Sequence, residues 1–182
     1  QHCALYGAVR VDRVIAGLSC FLIGARLRFA DAQWVKSEPF MDVIPSGDGF
    51  IECPLDRTKT TNKPEGQIEK VAVAHALGLD GVPWAAAWLQ LRPESKVNAR
   101  VDKCLMKAPS GKGFYRRRLR SGEYVAWLKK FLSTMAPPPG KPQRLGAHAC
   151  KVTYLSWAAK YGLEPQTRRA LGYHVPKKNA MV

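Results

Sequence analysis

Negative charge is scarce in this chain: 14 Asp and Glu stand against 29 Lys and Arg over 182 residues, a formal net charge of +15 at neutral pH. So little acid leaves a surface that repels itself and suits a polyanion. Nucleic acid is the expected partner, with a plain basic structural protein as the competing reading. Paired cysteines are missing too. Cys3, Cys20, Cys53, Cys104 and Cys150 are odd in number, widely spread and free of any Cys-x-x-Cys spacing. That argues against a disulfide framework or a zinc ribbon. It points to a reducing, intracellular compartment: nucleus in a eukaryote, cytoplasm or nucleoid in a bacterium. No apolar run approaches the ~20 residues of a membrane span, so no membrane is expected. The opening QHCALYGAVR has neither the layout of a signal peptide nor an initiating Met, which leads to the expectation of a fragment at its start.

Phosphate loops and repeats are lacking as well. PSGKGF contains a Gly-Lys pair, but Met106 stands where a P-loop needs its first Gly, and Gly113 replaces the Ser or Thr. SGDGFIE lacks the third Gly of a dinucleotide fingerprint. No internal repeat is seen, and the strand-helix-strand alternation of a parallel sheet is absent, which rules against a nucleotide-binding α/β fold.

What is present reads as globular: 46% hydrophobic residues and five tryptophans, in a chain long enough to bury a core. Apolar residues at helical spacing (Val11, Val14, Ile15, Leu18, Leu22, Ala25) predict one or two helices between Arg10 and Lys36, with Gly17 and Gly24 weakening or breaking them. MDVIP, GFIECPL and QIEKVAVA predict a small antiparallel sheet from Asp42 to about Ala74. A short buried helix follows Pro83, GKGFYRRRLR reads as a basic loop, and a helix runs from an N-cap at Ser121 to about Met135. APPPGKPQRLG is an extended connector. A helix from His148 to Tyr161 is closed by Gly162, and another begins at Pro165. The tryptophans read as core, and Tyr154, Tyr161 and Tyr173 as core or helix-packing residues.

The C-terminal part also holds candidate chemistry. Breaking and rejoining a phosphodiester without a metal takes cationic donors on the non-bridging oxygens, an activated nucleophile and an acid for the leaving oxygen. The chain offers Arg26 or Arg28 in ARLRFAD, Lys59 in DRTKTTNK, His148 and Lys151 in HACK, and His174 in LGYH. His148 and Lys151, three apart on a helix, share a face. Singly, such a pair is more often a helix start with a solvated lysine one turn on.

Their order changes the weighing. Arg28-Phe-Ala-Asp31, then Thr58-Lys59-Thr60 between strands, then His148-Ala-Cys-Lys151, Gly162 and Leu171-Gly172-Tyr173-His174 together resemble the catalytic domain of the tyrosine recombinase (phage integrase) family. Lys151 lies 11 residues before Gly162 and 23 before His174, a family-like separation. The resemblance covers roughly residues 10–176. It implies a mainly α domain with a small antiparallel β-sheet (α+β), spanning 1–182, incomplete at its C-terminus and lacking an N-terminal DNA-clamping domain. It implies a mobile-element origin, duplex DNA as partner, a homo-oligomer on DNA, and no cofactor or metal. In that chemistry a tyrosine attacks the scissile phosphate to form a 3′-phosphotyrosyl link. Arg28, Lys151 and His174 stabilise the charge, with Asp31 supporting Arg28; His148 transfers a proton, and Lys59 protonates the 5′-oxygen leaving group.

Three departures stand out. Lys151 occupies the place of the family's second arginine, keeping charge but losing the planar fork that grips two oxygens at once. Tyr173 is inserted between Gly172 and His174. The nucleophilic tyrosine is expected about nine residues after His174, and the sequence stops eight residues after it. The alternative is a DNA-binding module of the same fold without catalysis. Arg26, Arg116, Arg117, Arg118, Arg120, Arg168 and Arg169 are further DNA-backbone candidates, with solvated basic surface as the equal reading.

Overall fold

The clearest helical period in the sequence becomes the central helix of the fold. The computed structural model describes residues 1–45, 49–56, 70–111, 113–134 and 146–172. In chain order its elements are α1 (His2–Tyr6), α2 (Arg10–Gly24), α3 (Phe29–Ala32), β1 (Phe40–Val43), β2 (Gly49–Leu55), β3 (Lys70–His75), α4 (Trp84–Glu94), α5 (Ala99–Asp102), β4 (Lys107–Ser110), β5 (Gly113–Arg118), α6 (Ser121–Ser133), α7 (Ala149–Lys160) and α8 (Pro165–Leu171). The architecture is α+β: helices packed round one three-stranded antiparallel sheet, β1-β2-β3, and a β4-β5 hairpin. No helix among the described residues is long and apolar enough to cross a membrane.

Helix α2 lies at the centre, packed against α1, α4, α7 and β3. Val14, Ile15, Leu18, Phe21 and Leu22 form its inward stripe, each fully buried. Contrary to expectation, Gly17 does not break it. The indole of Trp88 lies where a side chain at 17 would go, since a Cβ there would sit 2.1 Å from its Cδ1. The Trp88 Nε1–H holds the ring in place by donating to the Val14 carbonyl at 2.9 Å. Glycine here sets how closely two helices approach. Gly17→Ala is therefore expected to lower stability by about 2–3 kcal/mol through overpacking, although alanine is the better helix former by ~1 kcal/mol. Gly122→Ala in α6, with nothing within 4 Å of the added carbon, is expected to stabilise instead. Urea denaturation midpoints of the two variants check the pair.

Strand β2 alternates strictly, with Gly49, Ile51, Cys53 and Leu55 buried. Its buried face matches that of β3, where Cys53 pairs with Ala72 and Ile51 with Ala74. Pro54, which has no N–H to give, sits beyond the last β1 partner, Glu52. Its carbonyl still accepts from Lys36 N–H at 3.0 Å.

Some expectations change. GKGFYRRRLR is no loop: residues 113–118 form β5, paired with β4 across Ser110↔Gly113, Pro109↔Phe114 and Lys107↔Arg118. A strand that leaves its charges in solvent hides the apolar half of the alternating pattern. Ser121 is the first residue of α6 and Arg120 its N-cap, because the Glu123 carboxylate accepts the Arg120 backbone N–H at 2.9 Å. Among the tryptophans, Trp84 and Trp88 are core, Trp34 and Trp127 are half-buried, and Trp157 is exposed. Tyr161, read as a packing residue, is the C-cap of α7 and is 90% exposed.

Gly162 ends α7 in a left-handed conformation, φ +77°. Leu163 N–H donates to Ala158 O at 2.9 Å and Gly162 N–H to Ala159 O at 3.1 Å, the paired bonds of a Schellman cap. Pro165 then starts α8 at a position whose missing N–H costs nothing.

Candidate phosphate-binding site

After α2 the chain turns through Arg26, whose φ of +55° is left-handed. Arg28 then caps the short helix α3. One turn on, Asp31 faces it, with Arg28 Nη1 3.6 Å from Asp31 Oδ2. Phe29, between them in sequence, is buried and stacks on the Tyr124 ring at 4.7 Å between centroids. The Tyr124 hydroxyl sits 3.0 Å from both Ser19 Oγ and Cys150 Sγ. Cys150 precedes Lys151 on α7. One buried phenol therefore braces the neighbour of Arg28 and the neighbour of Lys151. Burial raises the Tyr124 pKa well above its ordinary range, the buried Cys150 thiol adding to the shift, so it stays protonated as a brace.

Lys151 is almost wholly buried, 3% exposed. Its Nζ donates to the Gly172 carbonyl at 2.5 Å. Arg26 Nε donates to the Leu171 carbonyl at 3.1 Å, and its Nη1 to Gly24 O at 3.1 Å. The guanidinium also lies 5.5 Å from the centroid of the Tyr154 ring. The last carbonyls of α8 have no intrahelical donors, so two cations at that helix end satisfy them and meet the negative pole of the dipole. Burial lowers the Lys151 pKa, and the Arg28 charge lowers it further, with Asp31 opposing. The buried Lys151 thus lies in the field of the partly exposed Arg28, with Asp31 as the nearby counter-charge.

The structure brings Arg26, Arg28, Asp31 and Lys151 to the junction of α2, α3, α7 and α8. His148 is exposed as the N-cap of α7, one turn from Lys151. Lys59, in the segment joining β2 to β3, and Tyr173 and His174 lie outside the described residues. Arg168 Nε donates to Leu163 O at 2.9 Å, and with Arg169 it lines a shallow cavity of about 340 Å³.

The other candidates belong to β5 and the start of α6. Arg117 makes a two-pronged bond to Glu123, at 2.8 and 2.5 Å. That bond, with the Arg120 backbone N–H second, pulls the Glu123 carboxyl down to about 2. Arg118 lies 3.9 Å over the Trp34 ring and donates to Lys103 O at 2.8 Å. Arg116 and Arg120 are exposed.

Sequence reasoning missed two features here. Arg26 acts through backbone carbonyls, which no motif spells out. Tyr124 lies 105 residues from Ser19 and 26 from Cys150 in the chain, so its bridging hydroxyl has no local signal. Among the described residues, no group of three or more His, Cys, Asp or Glu is placed to hold a metal.

No family model matches the chain, and no curated protein matches it. Its fold does match among solved structures: the helices and small antiparallel sheets are similar to those of a tyrosine recombinase. One matching structure is a tryptophan-to-phenylalanine mutant of Flpe in a DNA Holliday junction complex. The two share 17% identity at a TM-score of 0.59, over 100% of this chain and 42% of that one.

Proposed function

We propose that the chain is a DNA-binding, DNA breaking-rejoining domain of a site-specific recombinase or integrase from a mobile element, working through a phosphotyrosine intermediate in the full-length protein. The observation that carries the reading is the Arg28–Lys151 pair. Burial and mutual repulsion both favour an anion between these two cations, with Asp31 as the nearby carboxylate. A phosphate with its charge spread over non-bridging oxygens fits that demand, and donors fixed before reaction act most strongly in such a place. The likeness of fold to a recombinase bound to a Holliday junction supports it.

In this reading Arg28, Lys151 and His174 hold the scissile phosphate and His148 moves the proton. A tyrosine expected beyond Val182 forms the 3′ bond as the 5′-oxygen departs, protonated by Lys59. The second reading, a DNA-binding module of the same fold without catalysis, is favoured by one detail: the Lys151 ammonium is already engaged with the Gly172 carbonyl and lacks an arginine's fork.

The natural gene extended past Val182 separates the two. Incubated with a nicked duplex, it is expected to give a covalent protein–DNA adduct on a denaturing gel, lost in Arg28→Ala. Duplex binding with no adduct favours the module. An Arg28→Ala protein that forms adduct at the full rate overturns the role given to Arg28.

A further inference from the structure

Residues 95–120 carry nine lysines and arginines and one carboxylate, Asp102. The fold gathers part of this charge around a second cavity, of about 700 Å³, between the turn after α4, helix α5 and the β4–β5 hairpin. Lys96, Asn98, Asp102, Lys107, Arg116 and Arg117 are on its wall. Its carboxylates are already engaged. Asp102 Oδ1 lies 3.3 Å from Lys107 Nζ, and the nearby Glu123 holds Arg117. Lys96 and Arg116, from different elements, remain exposed.

Two lysines flank α5 in the left-handed region, Lys96 at φ +57° and Lys103 at φ +52°. Gly or Asn is the usual occupant there. Of the two, Lys96 is on the wall of the basic cavity, and a cation held at such a turn position there points to selection by function rather than by folding.

The hairpin is also fastened to the element that carries Arg28. Met106 N–H donates to Gln33 Oε1 at 3.2 Å, and Arg118 packs on Trp34, both just after α3. A ligand spanning both places meets cations at fixed separation. A duplex backbone, one charge per ~1.7 Å of axis, is continuous enough to reach both.

We infer that this cavity seats a backbone phosphate of duplex DNA, a second contact apart from the Arg28–Lys151 centre. The inference rests on the DNA-binding reading above. The test is a salt series of anisotropy titrations with a labelled duplex, using the full chain, Lys151→Met and the double variant Lys96→Asn/Arg116→Gln. Asparagine tolerates the left-handed turn, so the double variant is expected to keep the wild-type melting temperature.

It is expected to bind at least ~10-fold more weakly, with the slope of log affinity against log salt shallower by about 1, for the one phosphate that Lys96 and Arg116 hold together. Wild-type slope and affinity in the double variant, with Lys151→Met weakened, overturn the cavity alone. No duplex binding by the wild type overturns the DNA reading and this inference with it. Tighter binding to polyglutamate than to duplex, lost in the double variant, assigns the cavity to an acidic protein partner and overturns the proposal.

Discussion

Lys151→Met is expected to weaken duplex DNA binding by roughly 10- to 100-fold, the worth of a hydrogen bond to a charged group, without lowering the stability of the fold. The two effects part because the native ammonium is badly placed for folding and well placed for an anion. It is buried, it sits in the field of Arg28, and both lower its pKa. Methionine removes the buried charge and fills similar space, at the loss of one bond to Gly172 O.

The pH dependence gives the sign. In the unfolded chain the lysine holds its proton up to about its ordinary value; in the fold it releases it earlier. Between those two values the unfolded state binds more protons, so wild-type stability rises with pH through that alkaline window and levels off above it. Binding to DNA runs the other way, being full below the lowered pKa and falling as the amine becomes neutral. Lys151→Met is expected to lose both pH trends. Anisotropy titrations and melting curves across alkaline pH measure them, and an unchanged affinity would refute the phosphate role of Lys151.

Glu38→Ala is expected to damage the fold severely, by about 3–5 kcal/mol. Arg92 is fully buried, stacked 4.9 Å from the centroid of the Trp88 ring, with Nη1 donating to Leu105 O at 2.9 Å. Its carboxylate partner is Glu38, whose Oε1 lies 2.5 Å from Arg92 Nε. The other oxygen of Glu38 accepts the Ala99 backbone N–H. Alanine at 38 strands a buried guanidinium and an amide together. In a chain of this size each kcal/mol moves the melting temperature by about 2–4 °C, so a fall near 10 °C or more is expected. Glu38→Ala/Arg92→Met removes the charge with its partner and is expected to recover most of the loss. Calorimetry of the single and double variants decides it; a single variant that melts with the wild type would remove the pair from the account of stability.

Much of the fold was readable because it depends on local periodicity. The stripe on α2, the alternation in β2, the Gly162 stop and the Pro165 start each set an element by the geometry of a few neighbouring residues. The basic run 113–118 was misread for the same reason, since its strand leaves charges facing water and the local signal looks like a loop. Gly17 was misread because its meaning lies in Trp88, far along the chain.

The candidate site divides in the same way. The sequence by itself determined the chemistry on offer: surplus cations, few acids, and an ordered set from Arg28 to Leu171-Gly172. Only the tertiary structure decided how those cations are used. It buried Lys151 within the field of Arg28, turned Arg26 to the Leu171 carbonyl at the end of α8, and occupied Arg117 with Glu123. Composition and order are written along the chain, but a cation's desolvation and its distance from the next charge are set by which helices pack together.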